Sequence, residues 1–123
     1  MKIITKNYTL KEMTPAMVKK NYFNWFNDSK IKKYIDYKPK NIDELKNQVK
    51  IAKNDNSVLF WGIFSNQKHI GNLKIFEIDC KRNIARLGIL IGDKAFQNKG
   101  AGSEIIEAVK DKLIQKKIYK LWL

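Results

Sequence analysis

The chain has 123 residues, enough for one domain with one core, and 44% of them are hydrophobic, as in ordinary globular proteins. No stretch is long and apolar enough for a membrane span, MKIITKNYTL has no apolar leader core, and the single cysteine, Cys80, excludes an internal disulfide and fits a reducing cytoplasm. The net charge of +13 comes almost wholly from lysines spread along the chain, with Arg82 and Arg86 as the only arginines; this pattern reads as solvated surface, without a nucleic-acid or membrane partner.

In chain order, Lys2 to Leu10 reads as a first strand, with Ile3, Ile4, Tyr8 and Leu10 among polar neighbours. Thr14 as N-cap and Pro15 in the first turn start a helix whose apolar residues, Val18, Tyr22, Trp25 and Phe26, keep helical spacing. Asn27-Asp28-Ser29 breaks it, and Ile31, Tyr34 and Ile35 suggest a short second helix. Asn41-Ile42-Asp43-Glu44 has the form of a capping box, and Leu45, Val49 and Ala52 continue an apolar face.

From Ser57 the period changes. Val58 to Phe64 is nearly all apolar and suits a central strand; Ser65-Asn66-Gln67 is a hairpin loop. His69 to Ile78 is the next strand, with Gly71 at an expected bulge. His69 is expected to be an exposed strand residue, and Cys80 an inert thiol in a turn ending at Asn83.

The stretch from Leu87 to Lys117 carries the chemistry. Leu87 to Ile91 is a short apolar strand, and Gln97-Asn98-Lys99-Gly100-Ala101-Gly102 leads straight into a helix with Ile105, Ile106, Val109 and Leu113 on one face. The first amides of a helix lack internal partners and sit at its positive end. Glycines there let an anion approach the backbone closely, so the segment reads as a phosphate or pyrophosphate cradle, or else as a plain structural turn. The spacing is not that of a P-loop. Ile118 to Leu123 then begins one more strand. The order of strand, helices, three antiparallel strands, helix and strand gives an α+β fold: a mixed, mainly antiparallel sheet flanked by helices.

Gln97, Gly100 and Gly102, set between a strand and an amphipathic helix, resemble the acetyl-CoA signature of the GCN5-related N-acetyltransferases. Ala85-Arg86-Leu87-Gly88-Ile89 and Gly100-Ala101-Gly102-Ser103-Glu104 look like the branch of ribosomal-protein and amino-sugar acetyltransferases, and the resemblance covers essentially the whole chain. It implies the acyl-CoA N-acyltransferase fold in a single domain, with residues 1–56 supplying the first strand and the acceptor-side helices and 57–123 the acetyl-CoA-binding core. It implies that Ile89, Leu90 and Ile91 pair with the pantetheine arm, and that Asn98, Lys99, Gly100, Ala101, Gly102 and Ser103 hold the pyrophosphate, with Gln97 and Lys99 flanking it.

The implied activity is transfer of an acetyl group from acetyl-CoA to a primary amine, without a metal. The stretches Tyr22 to Asp28 and Ile31 to Ile35 are similar to members that acetylate nucleotide-linked amino sugars, which marks Trp25 and Tyr34 as acceptor-binding residues. Acetylation of a protein N-terminus and a non-catalytic coenzyme A-binding fragment are the alternatives. The chain departs from the family in two places. Arg86 stands where many relatives carry the glutamate that serves as general base, while Glu77 and Asp79 are expected to solvate a hairpin end. The family's last helix and strands, which supply the donor to the leaving thiolate, have no counterpart before Leu123, so no catalytic residue is assigned. An uncovered last strand implies a homodimer through that edge.

Overall fold

A computed structural model describes residues 2–33, 35, 37–79, 81–115 and 120–122, of which 113–115 and 120–122 by backbone alone. Six strands form one sheet in chain order: β1 (Ile3–Ile4), β2 (Thr9–Glu12), β3 (Leu59–Ser65), β4 (Lys68–Asp79), β5 (Ile84–Ile91) and β6 (Lys120–Trp122). Neighbours are antiparallel except β5 and β6, which are parallel and joined by the helix α4 (Ala101–Gln115). The helices α1 (Lys20–Trp25), α2 (Ser29–Lys32) and α3 (Ile42–Asn54) lie between β2 and β3 in the chain.

The sheet has a core on each face. Leu10, Trp61, Ile63, Ile70, Leu73, Ile75 and Leu87 pack with Ile105 and Val109 of α4. On the other face, Met13 and the partly buried Phe60 and Leu90 pack with Val18, Tyr22, Trp25, Phe26, Ile31, Leu45 and Val49. The alternation of side chains along each strand feeds both layers, so the sheet is the middle of three.

Four expectations need correction or refinement. The single strand from Lys2 to Leu10 is a hairpin: the Thr5 amide donates to the Tyr8 carbonyl at 2.9 Å, and β1 folds back on β2. Ile3, Ile4, Tyr8 and Leu10 fit one alternating strand as well as two short ones, so their pattern alone conceals the turn. Thr14 does not cap a long helix, since its side chain makes no capping bond; Pro15–Met17 form one 3₁₀ turn, and Val18 is extended and buried before α1 begins. The bulge falls at Ile70 beside Gly71, where pairing steps from Ile63↔Gly71 to Phe64↔His69. That extra residue reverses the alternation, which places Ile70 in the α4 core and turns His69 to the opposite face. His69, expected to be exposed, is therefore buried at 6% exposure.

The capping box forms largely as read. Asn41 Oδ1 accepts from the Glu44 amide at 2.8 Å, while the Glu44 carboxylate takes the Lys40 amide and the Tyr37 hydroxyl. Asp79 accepts from the Lys81 and Arg82 amides, and Glu77 pairs with Arg86 at 2.8 Å, so both carboxylates are engaged at the hairpin end.

Candidate active site

The site is built on the far edge of β5 and the turn that follows. The Gly92 amide donates to the Ile70 carbonyl at 2.9 Å, which fixes the alternation of backbone bonds between β4 and β5. The backbone groups of Arg86, Gly88 and Leu90 then face β4, and those of Leu87, Ile89 and Ile91 face the other way. On that side β6 pairs only with Ile84, Ala85 and Arg86. Among the described residues, no strand lies beside Leu87 to Ile91. The Ile91 carbonyl is taken by the Gln97 side-chain amide at 2.9 Å, which pins the turn to the strand. Of the three strand residues marked in the sequence, Ile89 thus keeps both backbone groups on the open edge. Leu90 turns its backbone inward, and its side chain joins the α1–α3 core.

Lys94–Phe96 form a 3₁₀ turn capped by Asp93, whose carboxylate accepts from the Ala95 amide and pairs with Lys68 at 2.8 Å. The Lys68 ammonium and these bonds outweigh partial burial and hold the Asp93 carboxyl below its usual range; Lys68 is the largest cause. The chain then bends through Asn98, at φ 59°, and Gly100, at φ 77°, into α4. At Gly100 the left-handed conformation favours glycine. Among the described residues, no backbone carbonyl accepts from the amides of Asn98 to Ser103, and the Glu104 amide is the first to bond back, to the Gly100 carbonyl at 3.2 Å. Among the described residues, a Cβ added at Gly100 or Gly102 would meet nothing within 4 Å outside its own turn of chain, so the space over both is open. Ala101 is buried beneath them, which anchors the first turn of α4 to the core. Unpaired amides at a helix N-terminus, open space over two glycines and a free strand edge leading to them suit a long ligand with amide groups at one end and phosphates at the other.

A tie that sequence reading missed holds the helix start in place. The Glu104 carboxylate accepts from the Thr5 hydroxyl, the Asn7 amide at 2.8 Å and the Asn7 side-chain amide at 2.7 Å. Slight burial pushes its pKa up, but these bonds and nearby Lys6 win and leave it lowered. In the sequence, Glu104 signalled only a favourable helix dipole.

The α1–α3 face carries the aromatic residues. Trp25 is 7% exposed and lies flat under the end of β5, where a side chain at Gly92 would collide with its indole. Its ring centroid is 5.1 Å from Tyr22 and 4.8 Å from His69. Trp25 is thus a packing residue beneath the strand, while Tyr34 lies outside the described residues. His69 Nε2 and Asn72 Oδ1 are 2.7 Å apart, Phe64 stacks on the imidazole, and Nδ1 has no hydrogen-bond partner among the described residues. Burial lowers the His69 pKa more than the Asn72 bond raises it. Burial also pushes the Tyr22 phenol up to about 12, although its bond to Asn72 acts the other way. The cluster is a neutral, buried brace. Cys80 lies outside the described residues, and among those described there is no group of His, Cys, Asp or Glu fit to hold a metal.

The profile of the acetyltransferase (GNAT) domain matches residues 8–120. Solved structures that share the fold include the following three. The Salmonella typhimurium acetyl transferase that modifies the N-terminal serine of 50S ribosomal subunit protein L7/L12 is 16% identical, with a TM-score of 0.77 over 96% of this chain and 70% of that one. The spermidine N-acetyltransferase of Vibrio cholerae, solved with CoA and spermine, is 22% identical, with a TM-score of 0.73 over 89% of this chain and 64% of that one. The microcin C7 self-immunity acetyltransferase MccE, solved with acetyl-CoA and AMP, is 20% identical, with a TM-score of 0.74 over 92% of this chain and 66% of that one. The chain therefore spans about two thirds of each neighbour's length. No curated protein matches it.

Proposed function

The chain belongs to the GNAT acetyltransferase family, and from that premise we propose that it transfers an acetyl group from acetyl-CoA to a primary amine. The observation that carries this reading is the continuity of the open β5 edge with the unpaired amides of Asn98 to Ser103. Bound acetyl-CoA supplies the activated thioester. The chain supplies position: Ile89 offers an amide and a carbonyl to the pantetheine amides, and Gly100 and Gly102 leave room for phosphates on the helix amides. Lys99 adds a charge beside them. Holding an activated acyl group against a bound amine accounts for much of such a rate enhancement and needs no nucleophilic side chain.

The acceptor is an amino sugar or a nucleotide-linked amino sugar, with Tyr34 as an acceptor-binding residue and Trp25 packing beneath the end of β5 rather than touching the acceptor. The likeness of the Tyr22–Asp28 and Ile31–Ile35 stretches to sugar-modifying members supports this. The chain associates as a homodimer through the edge strand β6, whose outer backbone no strand covers among the described residues. Acetyl-CoA at millimolar concentration must raise the melting temperature, and free coenzyme A must appear when amino sugars are added. Absence of a thermal shift would overturn the cofactor reading, a shift without coenzyme A release would leave a binding module, and release with a peptide N-terminus alone would move the acceptor to proteins. A monomer at every concentration in sedimentation would remove the dimer.

A further inference from the structure

Lys74 stands on the α1–α3 face of β4, one strand in from the open edge. Its register partners are Phe60 on β3 and Gly88 on β5. Its ammonium lies 4.8 Å from the centre of the Phe60 ring. Toward β5, Gly88 presents no side chain, and among the described residues a Cβ there would meet the Phe76 ring alone, at 3.6 Å. Lys74 is half-buried, and that burial lowers its pKa. Among the described residues, no carboxylate pairs with it, whereas the nearby Arg86 pairs with Glu77 at 2.8 Å. Attraction to one aromatic face is weak beside the hydration a buried ammonium gives up. The phosphate cradle cannot complete it, because α4 packs on the opposite face of the sheet. What remains is a cation with room beside it on the acceptor face.

We propose that Lys74 selects acceptors that carry an anionic group, phosphate or carboxylate, as well as the amine, by pairing with that group over Gly88. This inference rests on the transferase reading above. A polycationic amine would meet Lys74 as a like charge in a protein already at +13, so polyamines are rejected.

The test compares wild type, Lys74→Met and Lys74→Arg on glucosamine, glucosamine 6-phosphate and spermidine, with calorimetric binding of the sugar phosphate as a readout independent of turnover. Wild type should favour the phosphate over glucosamine by about tenfold in kcat/KM, the size expected for one partly desolvated charge pair. Lys74→Met should abolish that preference while acting on glucosamine as before, and Lys74→Arg should keep most of it. Spermidine should be the poorest acceptor for wild type. Lys74→Met should melt no lower than wild type, since it removes a half-buried charge that no carboxylate among the described residues pairs. Equal preference in wild type and Lys74→Met, or a best rate with spermidine, overturns the proposal and leaves the transferase reading standing. Sugar-phosphate binding that is lost in Lys74→Met, with no turnover of any amine, upholds the role of Lys74 and overturns the transferase reading. Sugar-phosphate binding that is undetectable or equal in the two proteins overturns the role of Lys74.

Discussion

Gly102→Ala separates a cradle from a turn. Gly102 lies in the first turn of α4, and among the described residues a methyl there meets nothing within 4 Å beyond its chain neighbours and the backbone of its own helix. Alanine is preferred to glycine in helices by roughly 0.5–1 kcal/mol, so the ligand-free protein should melt about 2–5 °C higher. The same methyl would occupy the space through which a phosphate reaches the amides of Asn98 to Ser103. Losing one charge-assisted hydrogen bond costs about 1.5–3 kcal/mol, or roughly a tenfold to hundredfold rise in Kd. With acetyl-CoA at about one hundred times the wild-type Kd, the ligand stabilises wild type by about 2.7 kcal/mol; a tenfold weaker variant keeps only about 1.4 kcal/mol. Paired thermal melts with and without acetyl-CoA should thus show opposite signs: a more stable free protein and a smaller ligand shift. Gly100→Val should lose on both counts, because its φ of 77° costs a residue with a side chain at least about 1–2 kcal/mol. If Gly102→Ala melts higher and binds acetyl-CoA as tightly as wild type, the open space over Gly102 is not the phosphate site and the reasoning fails.

Trp25→Ala should cost about 3–5 kcal/mol of stability, since it empties the space beneath Gly92, and should weaken every ligand alike; a selective rise in amine KM at unchanged melting temperature would put Trp25 in the acceptor cleft instead. Because burial depresses the His69 pKa below its ordinary 6.5, the unfolded chain binds the proton first, and His69 should cost stability as pH falls below about 6.5. Denaturant melts from pH 8 to 5 should show that slope in wild type and less of it in His69→Gln. Glu104 has the carboxylate sign: its folded pKa is lowered, so its contribution is present above the ordinary 4.5 and fades as pH falls through the folded value. Glu104→Gln should lose roughly 1 kcal/mol at neutral pH, with little difference from wild type near pH 3, because the Thr5 and Asn7 donors then face an uncharged partner in both proteins.

Contacts close in the chain were legible without a structure. Ile105 and Val109 define the buried face of α4 at four-residue spacing, Asn41 caps α3 over three residues, and Gly100 marks the left-handed step into α4, each because helix geometry acts within one or two turns. The strand, glycine turn and helix of the proposed cofactor site are legible for the same reason. What depends on pairing between distant segments was not legible. The Ile3–Ile4 strand folds back because its partner, β2, is itself held by β3. Glu104 finds its partners 97 and 99 residues away, and nothing in its own neighbourhood names Thr5 or Asn7. His69 is the sharpest case: a single extra residue at Ile70 changes which face of the sheet it occupies, so the same side chain becomes a buried brace rather than an exposed polar residue. Strand alternation has a period of two, and its phase is decided by the pairing partner, which a local stretch of sequence does not contain.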